Sequence, residues 1–287
     1  MNSLQIEKLK ERKGARKLSE IPDEVLKALH QGKIESVNLM EWLAIDIQTL
    51  LGNVLVEIGC ARYLDRIDRE ALKFKDGSAI EQLKGFSETI FNMLEECDNG
   101  DAVFEALANH TSDKIRCLSA GSIAYNKGLS LPKRLEVMRR FATDRNMSVK
   151  EYAWYFLRSY LIEDLPKSFE LLIPWVKNED PNIRRCAVEA TRPRGVWCKH
   201  IPALKSNPEL GLTILEFVRS DASKYVQRAV GNWLNDASKS RPNWVISTCV
   251  RWQQESPTQE TKWIVKHGLR TINKQDSRFP KQRAIER

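Results

Sequence analysis

A repeated signal for the start of a helix is the feature that most restricts what this chain can fold into. Four segments each combine an acidic or small polar turn with a β-branched residue and a nearby basic residue. They are Asp113-Lys114-Ile115-Arg116, Met147-Ser148-Val149-Lys150, Asp180-Pro181-Asn182-Ile183-Arg184 and Ser223-Lys224-Tyr225-Val226-Gln227-Arg228. A looser fifth segment begins before Trp263. Because the stretches between them have a period near 3.6 residues, the chain is predicted to be helical throughout.

The spacing of these segments predicts a repeat protein. Their apolar anchors are 34, 34, 43 and 37 residues apart, and they are Ile115, Val149, Ile183, Val226 and Trp263. Paired-helix repeats, including the HEAT type, have about this period, and each pair buries its inner face by stacking on its neighbours. The sequence therefore predicts an all-α fold, an α-α superhelix (solenoid) of HEAT-like repeats. We expect one such domain over residues 19–273, after a basic, flexible arm (1–18) and before a polar basic tail (274–287).

Composition excludes several classes of function. No run approaches about 18 uninterrupted apolar residues, so no membrane span is expected. Six cysteines stand at positions 60, 97, 117, 186, 198 and 249 without Cys-x-x-Cys spacing, which predicts reduced, mostly buried thiols in a cytoplasm. Cys198 and His200 have no further partners at metal-ligand spacing, so we expect no metal and no other cofactor.

Charge is distributed unevenly along the chain. Residues 181–287 carry 20 Lys and Arg against 9 Asp and Glu, a net charge of +11. Residues 1–18 carry 6 against 2, so the segment 19–180 has a net charge of −7 within a total of +8. This asymmetry predicts a polyanionic partner on one part of the surface.

The longest repeat interval contains a loop rich in functional side chains. The 43-residue spacing exceeds the preceding one by nine residues, and the excess falls at residues 192–200. This loop carries Arg192, Arg194, Trp197 and Lys199, and Glu189 lies one turn before it. Each residue alone fits a simpler explanation: a solvated helix position, cations near a helix C-terminus, or a core Trp. Their occurrence together on an interrupted repeat favours a functional site.

Further basic residues recur on the later repeat helices. They are Arg184, Arg185, Lys224, Arg228, Lys239, Lys266, His267 and Arg270. Stacked helices would align them into a stripe suited to phosphate contacts with little base readout, although outer helix faces are also charged for solubility. Three carboxylates, Glu151, Glu189 and Asp236, lie among these cations. A carboxylate weakens polyanion binding unless it has another task, such as stabilising an oxocarbenium-like sugar during glycosidic cleavage.

These residues resemble the HEAT-like repeat DNA glycosylases of the alkylpurine family, and the AlkC branch more than the AlkD branch. The resemblance covers roughly residues 145–273. It rests on the run from Ile183 to Arg194 with Trp197, on Tyr225-Val226-Gln227-Arg228 with the residues up to Lys239, and on Trp263 to Thr271. Val188-Glu189-Ala190 stands where the family has Ser-Glu-Gly, and Val196 where a Pro usually precedes the Trp. The immunoglobulin-like module that many members of the AlkC branch carry is not found here.

The resemblance implies an activity and a role for several residues. The family excises positively charged alkylated bases, such as 3-methyladenine, from duplex DNA without full base flipping. Glu189 would face the lesion deoxyribose, Glu151 would be a second acidic residue and Asp236 a weaker candidate. Arg192 would hold the backbone, and Trp197 would pack at the lesion. We expect these side chains around one concave basic cleft.

The sequence is compatible with three functions. The first is a monomeric DNA-3-methyladenine-type glycosylase that needs no cofactor, because a cationic base is already a good leaving group. It would act on double-stranded DNA containing alkylated bases, in a bacterial-type cytoplasm and at the nucleoid when bound. The second is a non-catalytic HEAT-repeat module that binds damaged or branched DNA. The third is a HEAT scaffold for an acidic protein.

Overall fold

Every regular element in the described part of the chain is a helix. The computed structural model describes residues 3–195 and 198–276, and these ranges contain eighteen α-helices, a few short 3-10 turns and no β-strand. The all-α prediction is confirmed. The helices form two compact units, residues 1–156 and 157–287, because those of each unit pack mainly on one another. The single repeat domain over residues 19–273 stays a prediction.

The first unit contains ten helices, the last of which continues across its boundary. They are α1 (Ser3–Lys10), α2 (Asp23–His30), α3 (Leu39–Ala44), α4 (Ile47–Glu57), α5 (Leu64–Lys73), α6 (Ala79–Glu95), α7 (Gly100–Ala108), α8 (Asp113–Tyr125), α9 (Leu131–Ala142) and α10 (Met147–Leu161). Helix α8 packs against α6, α7 and α9. Its Ile115, Leu118 and Ala120 have no exposed surface, so α8 forms the core of this unit.

Part of the N-terminal segment is helical and packs within the first unit. Ser3–Lys10 is helical, and Leu9 is buried. The guanidinium of Arg12 donates to both carboxylate oxygens of Glu41 at 3.0 and 2.6 Å, and Glu41 is only 1% exposed. A buried carboxylate requires a cation partner, and the basic character of this segment supplies it. The boundary of the arm at residue 18 stays a prediction.

The second unit contains the remaining eight helices. They are α11 (Leu165–Val176), α12 (Pro181–Ala190), α13 (Pro202–Ser206), α14 (Leu212–Leu215), α15 (Lys224–Ser238), α16 (Pro242–Glu255), α17 (Gln259–Gly268) and α18 (Arg270–Asp276). Helix α15 packs against α12, α16, α17 and α18. Val226, Val230 and Trp233 on its inner face are fully buried, so α15 is the central helix of this unit.

The turns before the repeat helices share one hydrogen-bonded geometry. Backbone N–H groups of Asn146, Asp180 and Ser223 donate to the side chains two residues earlier, Asp144, Asn178 and Asp221, at 2.7, 2.9 and 2.8 Å. Ser112 N donates to His110 Nδ1 in the same way at 3.0 Å. Short polar side chains stabilise tight turns through such local bonds. Because these four turns have the 34, 34 and 43 residue spacing of the apolar anchors, they confirm the sequence repeat as a structural repeat.

The basic residue of the repeat signal stabilises these turns. Arg184 Nη1 donates to the carbonyls of Asn178 and Glu179, each at 2.8 Å, and Nε and Nη2 donate to Asp221 at 2.6 and 2.8 Å. Arg116 makes the equivalent set of contacts with the carbonyls five and six residues before it and with Asp144. The five N–H donors of one guanidinium can thus bond to the carbonyls of one turn and to the carboxylate of the next repeat turn, which joins the two turns.

Candidate functional site

Glu189 lies in the last turn of α12. Asp180 caps this helix by accepting from Asn182 N at 2.7 Å, and Pro181 suits its first position because that position needs no N–H donor. The apolar face formed by Ile183, Ala187 and Ala190 is buried in the unit. Glu189 itself is 4% exposed. A solvated helix position is therefore excluded, and this carboxylate requires partners within the protein.

A second buried carboxylate, Asp236 of α15, is joined to Glu189 by one guanidinium. Arg192 Nη1 donates to Glu189 Oε2 at 2.9 Å, while Nε and Nη2 lie 2.9 and 2.8 Å from Asp236 Oδ2. Asp236 is 3% exposed. Burial by itself lowers the pKa of Arg192, but the charges of Glu189 and Asp236 raise it above its usual value overall. Arg192 is therefore a permanent cation that keeps both carboxylates in fixed positions.

Two further cations flank this cluster. Arg185 Nη2 lies 3.8 Å from Glu189 Oε1, and its guanidinium stacks 4.2 Å from the centroid of the Tyr225 ring. Lys239 Nζ donates to Asp236 Oδ1 at 3.2 Å and is 41% exposed. The two carboxylates thus face three cations, so the cluster is net positive. Such a cluster can hold negative charge nearby, as a phosphate-binding surface requires.

The C-terminal end of α12 is held in place by two buried donors. Arg158 Nη1 donates to Ala190 O at 3.0 Å, and Trp233 Nε1 donates to Thr191 O at 3.0 Å. Arg158 also donates to Lys199 O, at 3.2 Å from Nε and 3.0 Å from Nη2. One side chain therefore holds both ends of the loop that the sequence identifies as an insertion. Sequence analysis missed Arg158, and its only signal was a cation inside an otherwise apolar helical stretch.

The described part of this loop folds back on itself. Ile201 N donates to Pro193 O at 3.0 Å, and Arg194 Nη2 donates to Ser240 Oγ at 2.7 Å. Val196 and Trp197 lie outside the described residues, so the placement of Trp197 at the site stays a prediction.

A row of aromatic and basic side chains extends from the cluster along α15 and α17. Lys224 Nζ lies 5.6 Å from the Trp263 ring centroid, and Trp263 stacks on His267 at 4.9 Å. His267 Nε2 and Arg270 Nη2 both contact Asn232 Oδ1, at 3.0 and 2.9 Å. A Cβ at position 231 would lie 2.7 Å from the imidazole, so Gly231 permits the close approach of His267 to α15. The row is therefore an ordered surface rather than a set of independent side chains.

Electrostatic interactions connect this row with the carboxylate cluster. Burial first, and then Arg270 and Arg228, lower the pKa of His267, so the imidazole is neutral near pH 7. Burial also lowers the pKa of Arg270, and that side chain interacts with Asp236 and Arg192. Arg270 therefore connects the row to the Arg192–Asp236 pair, while Arg228 and Arg270 both act on His267.

The other cations predicted from the sequence differ in whether they are exposed to contact a phosphate. Lys199, Arg228 and Lys266 are exposed, as a phosphate contact requires. Arg184 instead bonds to Asp221 and to turn carbonyls, so its charge already has a structural partner. The structure adds His200, whose pKa is lowered by burial and by the positive charges of Arg194 and Lys205. Lys205 therefore extends the cationic surface beside the loop, next to a neutral His200 imidazole, and the repeat pattern that identified the others could not find these two residues.

Glu151 belongs to the first unit. Its carboxylate accepts a hydrogen bond from Trp154 Nε1 at 2.7 Å on the same helix, α10, and the residue is half-buried. A structural contact with the indole accounts for this orientation, and the role that the resemblance implies for Glu151 stays a prediction.

The described ranges contain neither a metal-holding cluster nor a helix able to cross a membrane. Over residues 3–195 and 198–276, no group of three or more His, Cys, Asp or Glu side chains is placed to hold a metal ion. Within those same ranges, each helix is too short or too polar to cross a bilayer.

Three known proteins share sequence or structure with this chain. The uncharacterized protein YhaZ of Bacillus subtilis (strain 168) is 40% identical over 127 residues, which are 44% of this chain and 34% of YhaZ. The Pseudomonas fluorescens alkylpurine DNA glycosylase AlkC, bound to DNA containing an abasic site analog, aligns with a TM-score of 0.65 and 21% identity. That alignment covers 91% of this chain and 66% of AlkC. AlkD2 from Streptococcus mutans aligns with a TM-score of 0.54 and 21% identity, over 65% of this chain and 88% of AlkD2.

Because their sequence identity is only 21%, the two structural alignments show a shared fold and nothing more. This chain matches about a third of the length of YhaZ and less than two thirds of the length of AlkC. Family membership rests on the sequence instead. The sequence model of the DNA alkylation repair enzyme family matches residues 82–271, which include α12, α15 and α17 and the whole carboxylate cluster. The chain therefore belongs to the DNA alkylation repair enzyme family.

Proposed function

We propose that this protein is a DNA glycosylase that releases cationic alkylated bases, such as 3-methyladenine, from duplex DNA by hydrolysis of the N-glycosidic bond. The observation that carries the proposal is the buried pair Glu189 and Asp236, fixed by Arg192 beside a row of exposed cations. Family membership supports a repair function. The similarity of fold to AlkC, an alkylpurine DNA glycosylase bound to DNA with an abasic site analog, supports this type of chemistry.

The carboxylates suit the charge that develops during base loss. A cationic alkylated base leaves as a neutral molecule, so no strong general acid is required to protonate it. Positive charge then appears on the deoxyribose, and a fixed carboxylate lowers the energy of that state. Glu189 is proposed to face the sugar, because it ends α12 at the loop. Asp236 is proposed to help orient the water that attacks the sugar carbon.

The cationic row is proposed to hold the DNA backbone. Exposed Lys and Arg side chains release condensed counterions when they contact phosphates, which gives affinity without sequence readout. The proposed phosphate contacts are Arg194, Lys199, Lys224, Arg228, Lys239, Lys266 and Arg270. His267, neutral at pH 7, is proposed to offer a ring surface stacked on Trp263. Arg185 and Arg192 are proposed to act mainly on the carboxylates, and Trp197 and Glu151 to act at the lesion without full base flipping, as the resemblance implies.

A non-catalytic module that binds damaged or branched DNA is the second candidate. The observation that favours it is the same ion-pair cluster, because Arg192 and Lys239 already neutralise much of the charge that a sugar cation would require. Such a cluster could serve only to fix α12 against α15 below a DNA-binding surface.

Release of free base separates the two candidates. Duplex DNA treated with a methylating agent is incubated with excess protein, and released 3-methyladenine and 7-methylguanine are quantified by chromatography against time. We expect single-turnover release well above the spontaneous rate of the same DNA without protein. Salt-dependent binding of that duplex with release at the spontaneous rate would support the binding module. Absence of both binding and release would overturn both candidates.

A further inference from the structure

An apolar groove lies on the first unit, where four of its helices approach one another. Its walls come from the C-terminal ends of α6 and α8, the first half of α7, helix α9 and the loop that precedes α9. Because α8 packs directly on α6, α7 and α9, the groove is a product of the helix packing. The apolar side chains that line it are Phe91, Leu94, Phe104, Ile123, Leu129 and Val137.

Most of this apolar lining faces solvent. Ile123 at the floor is buried, and the other five apolar side chains of the lining are only half-buried. Contiguous apolar surface of this kind on a folded protein marks an interaction site. The groove has a volume of about 230 Å³. Pockets for small molecules begin at about 300 Å³, so this groove suits one or two large side chains of a protein partner better than a separate small ligand.

The charged residues that line the groove are both carboxylates. Glu95 ends α6, Asp101 lies in the first turn of α7, and both are exposed. Within the described ranges neither of them makes an ion pair, whereas the neighbouring Glu105 is paired with Arg140 at 2.6 Å. The negative charge at the edge of the groove is therefore available to a partner.

The sequence around the groove has the same sign of charge. Residues 85–113, which contain the end of α6 and all of α7, carry seven Asp and Glu and no Lys or Arg. Their net charge of −7 equals that of the whole segment 19–180, so the rest of that segment is balanced. Such a surface repels DNA and anionic lipid and attracts a cationic partner.

We propose that this groove binds a basic segment of another protein. The segment inserts one or two large apolar side chains between α7 and α9, and its Lys or Arg side chains pair with Glu95 and Asp101. Burial of the apolar side chains supplies most of the affinity, and the exposed ion pairs supply specificity and a faster encounter. The groove uses none of the residues proposed to contact DNA, so the partner and the duplex need not compete for one surface.

Binding of a defined peptide to the whole protein tests the proposal. The probe is a short fluorescein-labelled peptide of Lys and Leu around a central Trp, and the control peptide has Gln in place of every Leu and Trp. Fluorescence anisotropy should show that the apolar peptide binds at least about tenfold more tightly, because only this peptide can fill the groove. Equal affinity of the two peptides, or no binding of the apolar one, overturns the proposal.

Variants locate the peptide on the groove. Glu95→Gln combined with Asp101→Asn should weaken binding about threefold or more, because two exposed charges are lost. The matched control is Asp23→Asn combined with Glu24→Gln, which removes two exposed carboxylates of α2 and should bind as wild type does. An equal loss in both double variants would mean that the peptide responds to the overall charge of the unit, and it would overturn the assignment to the groove.

The apolar wall is tested separately. Val137→Arg places a cation against the groove and should weaken binding about tenfold or more, since a like charge then meets the basic peptide. The melting temperature of each variant shows that it remains folded. Unchanged affinity in a folded Val137→Arg would place the peptide elsewhere and overturn the proposal.

A second copy of this chain is the alternative occupant. Residues 277–287 carry four Lys and Arg against one Glu and include Phe279 and Ile285, so they have the same chemistry as the proposed segment. Analytical ultracentrifugation of the wild type should show a monomer. A dimer that is lost in Glu95→Gln combined with Asp101→Asn would assign the groove to self-association and overturn binding of another protein.

Discussion

Arg192 and Asp236 are 44 residues apart in the sequence, and their side chains meet through two nitrogens at 2.9 and 2.8 Å from one carboxylate oxygen. The same guanidinium holds Glu189 at 2.9 Å. Because all three groups are largely buried, removing Arg192 would leave Asp236 to Lys239 at 3.2 Å and Glu189 to the more distant Arg185 at 3.8 Å, in a poorly solvated place. The cluster therefore fixes α12 against α15 and sets the positions of both carboxylates before any substrate is present.

Glu189→Gln separates chemistry from binding. Gln keeps the size of the side chain and loses the charge that stabilises a developing sugar cation. We expect single-turnover base release to fall on the order of a hundredfold, equivalent to about 3 kcal/mol of transition-state stabilisation. Duplex affinity should stay equal or rise, because an anion has left the phosphate surface.

The control for this variant is Glu179→Gln, which removes one exposed negative charge from the turn before α12. It should leave base release and affinity unchanged. If wild type is active and Glu189→Gln releases bases at the same rate, the carboxylate for the sugar must be sought at Asp236 or Glu151.

A double-mutant cycle on Arg192 and Asp236 measures how strongly the two groups depend on each other. Arg192→Met removes the shorter ion pair of each of two buried carboxylates, leaving Lys239 on Asp236 and Arg185 near Glu189. We expect it to lower the free energy of unfolding by about 3 kcal/mol. Asp236→Asn should cost less, because Asn still accepts a hydrogen bond. The double variant should lose at least ~1 kcal/mol less than the sum of the single losses, as measured by urea denaturation. Strict additivity would show that the ion pair does not stabilise the fold.

The helical repeat could be predicted from the sequence because its signals are local. Anchors such as Ile183 and Val226, with the polar turn residues before them, appear in the sequence at the spacing that the structure has. Glu189 could be identified as a candidate site residue for the same reason, since it stands one turn before a Pro- and Gly-containing loop. Local patterns of capping and periodicity act over three or four residues, which is the range that sequence analysis covers well.

The partners of the charged residues could not be predicted in this way. Arg184 and Arg228 both follow an apolar anchor closely, yet Arg184 is paired with Asp221, 37 residues away, whereas Arg228 is exposed. The clamp that Arg158 forms on the insertion loop likewise depends on carbonyls 32 and 41 residues distant. Which of several similar cations meets a distant acceptor is decided by how the helices pack, and the spacing of residues does not contain that information.

Lys266→Ala and Arg184→Met should therefore differ in a measurable way. Lys266 is exposed on α17, so removing it should lower the slope of log affinity against log salt by about one unit. Arg184→Met removes a turn clamp and leaves Asp221 unpaired, so it should lower stability and leave the salt slope unchanged. Affinity measured by fluorescence anisotropy across a salt series, with the melting temperature of each variant, checks both. A reduced slope for Arg184→Met would show that this arginine contacts phosphate.

Lys114 makes the stability of the first unit depend on pH. Lys114 is 2% exposed, and its ammonium group donates to Trp42 O at 3.0 Å and lies over the Trp42 ring. Burial lowers the pKa of Lys114 from 10.5 to about 7, although Cys117, Asp113 and Asp46 favour the charged form. Between about pH 7 and 10.5 the unfolded chain therefore binds a proton that the folded chain releases, so stability rises with pH across that window. Below about pH 7 Lys114 is charged in both the folded and the unfolded protein, so the folded protein bears the full free-energy cost of burying the cation.

Lys114→Met should remove this pH dependence, because Met has a similar length and no charge. Relative to the variant, wild type should gain roughly 1 kcal/mol of unfolding free energy per pH unit between pH 7 and 9, measured by urea denaturation. The variant should also be the more stable protein at pH 7, where wild type still bears part of the cost of the buried charge. Lys127→Met, which changes an exposed lysine in the same way, should follow wild type at every pH. Parallel curves for wild type and Lys114→Met would mean that Lys114 keeps its proton in the folded state, held by the Trp42 ring and carbonyl.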